Sequence, residues 1–290
     1  MTAPSIALVL LSCVLHAGWN LLVKRARDKD AFTALYLAAS CVLYLPLMVV
    51  FAAGRSIPSA GWACILGSGT MYAAYFLALG RAYRHGDLSY AYPVARGLGP
   101  PLAALVGVMV LRERVTIPGG IGIALIVLAV AALHMPAGLA GPLRIQRRAL
   151  GWATVVGVLY AGYSIVDKVG VGKLGVHPVV YIYLAYATSA AAVIPVVAMK
   201  TGFDPIREEW RLNGPSAVAV GLLNVGAYLL VLCAMALPNA PVSYVVPLRT
   251  VSVLFGVMGG VGVLGERGAG SRVAAALMVM AGVALIAWKG

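Results

Sequence analysis

Ten times along the chain, about 20 residues pass with few charges before a short polar or Gly/Pro-rich link interrupts them, and about 20 is the number an α-helix needs to cross a bilayer core. The runs cover residues 4–23, 31–53, 60–83, 88–111, 117–135, 150–168, 177–198, 215–237, 242–264 and 271–288. The links carry most of the charge, as in "KRARDKD", "RHGD", "RER", "RIQRR", "FDPIREEWR" and "LPNAP". The longest polar insert, around residues 200–213, is too short to hold a core of its own. A chain that is 62% hydrophobic and 11% charged, with a mean hydropathy of +0.94, is outside the range of soluble domains. The expected fold is an all-α polytopic membrane protein with ten transmembrane helices. The first run lacks a positive leader and a small-residue cleavage site, so it is expected to remain as a span.

The net charge of +13 does not indicate nucleic acid, because Lys and Arg are dispersed through the links and form no face or tail. Cys13, Cys41, Cys64 and Cys233 lie singly in apolar runs without metal-ligand spacing, and read as small packing residues. No metal site and no cofactor are expected.

The two halves repeat. "HAGWNLLVK" from His16 aligns with "YAGYSIVDK" from Tyr160, and "AAYFLAL" from Ala73 with "GAYLLVL" from Gly226. Further along, Ser89, Tyr90 and Pro93 align with Ser243, Tyr244 and Pro247, and "VLRER" from Val110 aligns with "VLGER" from Val263. A five-helix unit used twice enters the membrane with opposite orientations, because five is odd. Inverted repeats over residues 1–140 and 141–290, around a central cavity, are therefore expected, in one integrated membrane domain.

Five-plus-five spans, "HAGWN" on the first, a proline in the fourth and ninth, and a Glu-Arg after each of those two (Glu113-Arg114, Glu266-Arg267) resemble the drug/metabolite transporter superfamily, in its EamA branch. The resemblance covers essentially the whole chain. It implies a basket of helices one, three, four, six, eight and nine around a cavity, with five and ten outside it. It also implies export of small metabolites or amino acids, and a subset with this kind of first helix is associated with phosphonate use. Both termini would be cytoplasmic by resemblance, whereas Lys and Arg are richer in the odd-numbered loops, which by the positive-inside rule places the termini outside.

The candidate site follows from polar groups at membrane depth. Pro93 and Pro247 each remove a helix N–H and free the carbonyl four residues earlier, which must be satisfied or face a wet cavity between helices four and nine. Arg96 and Arg249 follow those prolines near mid-span, where a guanidinium costs about 2.5–3.5 kcal/mol and nearly always faces an interior or a pathway. Either arginine could pair internally, or hold a carboxylate, phosphonate or phosphate in its planar fork. His16, Trp19 and Asn20 share one helical face, as do Tyr160, Tyr163 and Ser164. Tyr72, Tyr75, Tyr90, Tyr92, Asn224, Tyr228 and Tyr244 complete the candidate lining. Asp167 is the one acidic residue inside a run, beside Lys168 at its end, where an interfacial ion pair is expected. Asp167 and His16 are also the candidates for proton coupling. The glycines of "GGIG" from Gly119 are expected to let helices approach closely.

The expected activity is secondary transport, in the export direction, of a small organic solute with an anionic group: an amino acid, organic acid or phosphonate. Scarce intramembrane carboxylates argue against a cation or multidrug exporter. A lipid-carrier flippase is the other transport reading. An intramembrane enzyme fares poorly, since no HExxH, GxSG or acidic metal cluster is present, and no GxxxxGK[ST] supplies ATP. The expected partners are the solute, the lipid bilayer and protons, without nucleic acid. The expected setting is a multi-pass monomer or homodimer in the cell's inner membrane.

Overall fold

A computed structural model describes residues 1–23, 26–85, 88–134, 147–252 and 269–289; for 80, 83–85, 88–97, 130–134, 147, 149–150, 269–273, 275–276 and 289 it describes the backbone alone. The helices are α1 (Ala3–Val23), α2 (Lys29–Ala52), α3 (Ser59–His85), α4 (Leu88–Met109), α5 (Ile117–His134), α6 (Arg147–Asp167), α7 (Pro178–Thr201), α8 (Asp204–Ala236), α9 (Val242–Arg249) and α10 (Ala269–Lys289). Six of them are long and apolar enough to cross a membrane by length and composition, among the described residues. Exposed apolar side chains such as Val42, Val50, Met109 and Ile117 cover the outside of the bundle, as a lipid-facing surface requires.

Packing repeats under exchange of each helix with the one five places later. α1 packs on α8 as α6 packs on α3, α2 packs on α8 as α7 packs on α3, and α4 packs on α9. α5 and α10 pack chiefly on each other. That contact depends on small residues: a Cβ at Gly122 would stand 2.7 Å from the Gly282 carbonyl, and one at Gly282 would stand 2.7 Å from the Gly122 carbonyl.

The helix ends are held by specific groups. Asp28 caps α2, accepting from Asp30 N and Ala31 N at 2.9 and 3.0 Å. Glu209, 2% exposed, pins the α1–α2 link by accepting from Arg27 N (3.3 Å), Asp28 N (3.0 Å) and Asn213 Nδ2 (2.7 Å). Glu209 belongs to the polar stretch that the sequence pattern treats as an interruption before residue 215. That stretch is helical and opens α8 at Asp204, with a local break at Asn213 (φ −131°, ψ 17°). Pro205 at its start fits the first turn of a helix, which lacks intrahelical donors' partners in any case.

α9 is short. Pro247 cannot donate, and beyond Arg249 the backbone tightens into i→i+3 bonds, Thr250 N to Pro247 O (3.0 Å) and Val251 N to Leu248 O (3.1 Å). Pro247 lies inside α9 and is buried in protein. At the start of α9, the Glu113 carboxylate accepts from Val242 N (2.7 Å), Ser243 N (2.9 Å) and the Ser243 hydroxyl. An anion on free N–H groups complements the positive end of the helix. The Glu113-Arg114 signature read from sequence thus contains a tertiary helix cap.

Candidate functional site

Six helices converge on one interior cavity among the described residues. α1 brings His16 and Trp19, α3 Tyr72, Tyr75 and Phe76, α6 Tyr163, α7 Tyr186, α8 Asn224 and Tyr228, and α9 Arg249. About 40 Å³ is open to the centres of water-sized molecules, enough for about three waters at ~10–15 Å³ each. Any larger solute requires these helices to separate. Eight residues expected from sequence meet here: His16, Trp19, Tyr72, Tyr75, Tyr163, Asn224, Tyr228 and Arg249.

Arg249 is 7% exposed and sits over two rings, with Cζ 4.5 Å from the Tyr228 centroid and 5.5 Å from that of Tyr160. Ring faces attract the guanidinium but offer no hydrogen-bond acceptor. Nε is buried and bonded to nothing, and no carboxylate pairs with Arg249 among the described residues. Arg249 is the last residue of α9, before the i→i+3 turn at Thr250 and Val251. The backbone there is tied to α1, where the Cys13 thiol donates weakly to the carbonyl of Arg249 (3.4 Å).

The rest of the wall is aromatic and already hydrogen-bonded. Tyr163 meets the rings of Tyr72 (4.8 Å), Tyr75 (5.9 Å) and Tyr228 (6.0 Å) edge-on. Tyr186 donates to Asn224 Oδ1 at 2.6 Å, which turns the Asn224 amide into a donor facing the cavity. Trp19 Nε1 donates to His16 Nδ1 at 3.1 Å, so the accepting nitrogen of His16 carries no proton. Tyr186 was missed by sequence reading, since the basket implied by resemblance omits helix seven. Phe76 was also missed, although its i+4 relation to Tyr72 was a usable signal.

Other expected residues lie elsewhere. Asn20 turns away to bond the His16 carbonyl (2.6 Å) and does not line the cavity. Tyr160 underlies Arg249 without reaching the cavity wall, and Gly99 of α4 lies so close to its ring that any side chain there would collide with it. Tyr244 is corrected to a structural place: fully buried, its hydroxyl accepts from Thr116 N (2.9 Å) at the start of α5. A phenol with that partner is a tertiary cap, on the far side of α9's first turn from the cavity residues. The side chains of Tyr90, Tyr92, Pro93 and Arg96 lie outside the described ones.

The expected Asp167–Lys168 ion pair is not made. Lys168 Nζ turns to the carbonyls of Met235 (2.7 Å) and Ala240 (2.8 Å), closing the end of α8. Asp167, 0% exposed, is held by hydroxyls alone: Ser68 (2.6 Å) and Tyr181 (3.0 Å) on Oδ1, Tyr72 (2.7 Å) and Tyr228 on Oδ2. Two of these tyrosines present their rings to the cavity and their hydroxyls to Asp167. Immediately after Asp167 the helix widens into a π turn, Lys168–Lys173, where Gly170 lets the Tyr181 ring close against the backbone. Sequence could place Asp167 at a helix end. It could not show that four hydroxyls from three other helices meet there.

A solved structure titled "Crystal structure of protein" matches with a TM-score of 0.80 at 16% identity, covering 100% of both chains, which is a likeness of fold. No curated protein matches the sequence. The model of the EamA-like transporter family matches twice, over residues 3–135 and 147–288. With nearly its whole length matched as two copies of that unit, the chain belongs to the EamA-like transporter family, whose members are multi-pass membrane transporters of the drug/metabolite transporter type.

Proposed function

We propose that this transporter carries a small organic solute bearing an anionic group, such as an amino acid, an organic acid or a phosphonate, and exports it across the cell membrane by alternating access. One observation carries the reading. A buried guanidinium lies on the wall of the central cavity with ring faces beneath it, an unbonded Nε, and no carboxylate partner among the described residues. A charge left in that condition is costly, and a ligand carboxylate or phosphonate supplies what is missing through a planar, two-bond contact. The Asn224 amide adds a second donor.

The aromatic wall suits the remainder of such a solute, including an ammonium group resting on tyrosine faces. The tightness of the cavity supports a closed arrangement between two open ones. Packing that repeats between the halves supplies two similar sets of helix contacts that can loosen alternately.

The test is thermal stabilisation of the purified protein by amino acids, organic acids, phosphonates and organic cations, since a ligand of the folded state raises its stability. Stabilisation by one anionic or zwitterionic class, lost in Arg249→Ala, is the expected result. Stabilisation by cations alone would assign Arg249 a structural role and make the protein a cation exporter.

A further inference from the structure

Glu113 and Asp167 are both engaged carboxylates, and their partners differ in kind. Glu113 accepts from two backbone N–H groups as well as a hydroxyl. An amide N–H can only donate, so two of the three bonds at Glu113 have a fixed direction. Asp167 accepts only from hydroxyls, each of which can donate or accept.

The Asp167 site closes its hydrogen bonds in both protonation states. In the ionised state Ser68 and Tyr181 donate to Oδ1, while Tyr72 and Tyr228 donate to Oδ2. When a proton arrives on Oδ1, Asp167 donates along the 2.6 Å contact to Ser68 Oγ. The Ser68 hydroxyl then turns along its 2.8 Å contact to Tyr181 Oη, whose geometry admits either atom as donor. The Tyr181 hydroxyl in turn donates to the Cys64 carbonyl, 3.2 Å away, and Tyr72 and Tyr228 keep their bonds to Oδ2. One proton is gained, two hydroxyl orientations change, and no polar group is orphaned.

We propose that Asp167 is a reversible proton-binding site whose occupancy is coupled to the solute site at Arg249 through Tyr228. The coupling half rests on the anion-site reading above, and the proton half does not. Tyr228 joins the two sites: its ring lies under the Arg249 guanidinium and its hydroxyl is on Asp167. The groups that face Asp167 are Cys64, Ser68 and Tyr72 from α3, Tyr181 from α7 and Tyr228 from α8. Lys168 beside it is committed to two carbonyls, and Arg249 of α9 stands behind Tyr228. Arg249 thus stands on the other side of the Tyr228 ring from Asp167, where its positive charge offsets part of that of the carboxylate. An anion bound to Arg249 cancels that offset and leaves two like charges across one tyrosine, so the bound anion and the proton favour each other. By linkage the effect is reciprocal, and for this separation a coupling of about tenfold is expected.

The experiment is infrared difference spectroscopy of the full chain in lipid nanodiscs between about pH 5 and about pH 8, without ligand. The expected result is a protonated-carboxyl carbonyl band that titrates in the wild type, is absent in Asp167→Asn, and changes frequency in Tyr228→Phe, which loses one bond to Oδ2. A difference spectrum identical in wild type and Asp167→Asn overturns the proton site. If Asp167→Asn does not fold, the Tyr228→Phe comparison still decides, because a band unaffected by that change does not arise from Asp167. The coupling is read without any solute by Arg249→Ala, expected to displace the band's midpoint by about one pH unit, the equivalent of tenfold. An unchanged midpoint overturns it. With methanesulfonate, whose charge is constant over this range, a displaced midpoint in the wild type and none in Arg249→Ala is expected. A titrating Asp167 with no response to any anion would reject the solute reading while leaving the proton site standing.

Discussion

Arg249 and Asp167 are both buried charges, separated by the single ring of Tyr228, and their surroundings are opposite. The carboxylate has four hydrogen bonds, whereas the guanidinium rests on two rings with its Nε bonded to nothing. A burial penalty of several kcal/mol per ion bears on both. At Asp167 the protein meets it internally with hydroxyls from α3, α7 and α8, while at Arg249 it sets ring faces against the charge and no acceptor on Nε.

The largest break in this comparison is expected from Arg249→Ala. Loss of one partner of a desolvated charge pair costs about 2–5 kcal/mol, so affinity for an anionic solute in a binding titration should fall about 30-fold or more. Arg249→Lys keeps the charge but not the fork, and should recover only part of that affinity.

Tyr228→Phe sharpens the contrast, since it leaves the ring under Arg249 and removes one bond from Asp167. The expected cost is about 1.5–3 kcal/mol in unfolding free energy, the usual worth of a hydrogen bond to a charged group. Solute affinity at fixed pH should fall far less than in Arg249→Ala. The reverse pattern, with stability kept and binding lost, would mean that the hydroxyl serves the solute and not Asp167.

Glu113→Gln extends the comparison to a carboxylate held partly by backbone amides. It should cost about 1–2 kcal/mol of stability, the range of a charged helix cap, and leave any proton-linked signal intact. Unaltered thermal unfolding would show that α9 does not depend on this cap.

The smallest effect is expected outside the membrane-spanning segments, at His177. Its Nδ1 accepts from Val179 N at 3.3 Å and its ring stacks on Phe51, while burial first and nearby Arg55 second hold its proton affinity below the ordinary imidazole range. The folded state therefore favours the neutral ring, and below about pH 6.5 the unfolded chain binds the proton more readily. Its contribution is complete above that pH and is lost as pH falls. His177→Ala should remove a few tenths of a kcal/mol, the low end for a cap, and flatten that part of the pH–stability curve.

Much of this architecture was legible in the sequence because lipid leaves few solutions. Apolar runs of bilayer length must be helices, and ten of them in two similar sets of five fix the count and the repeat. The cavity residues on regular helix faces, such as His16 with Trp19 and Tyr72 with Tyr75, were legible from helical periodicity. Periodicity failed for Asn20 and Tyr244, where the partner decides: a helix carbonyl draws in the amide, and the start of α5 draws in the phenol. It failed again at residues 204–214, where the polar composition conceals a helix held by Glu209.

By itself, then, the sequence determined that this chain crosses a membrane as two similar helical units. Only the tertiary structure decided which charges are satisfied. It put four hydroxyls from three other helices on Asp167, sent Lys168 to the carbonyls of Met235 and Ala240, and left Arg249 over tyrosine rings. The physical reason is that a span's length and apolarity are local requirements of the bilayer, whereas a buried charge is compensated by groups far away in the chain, whose approach is settled by packing.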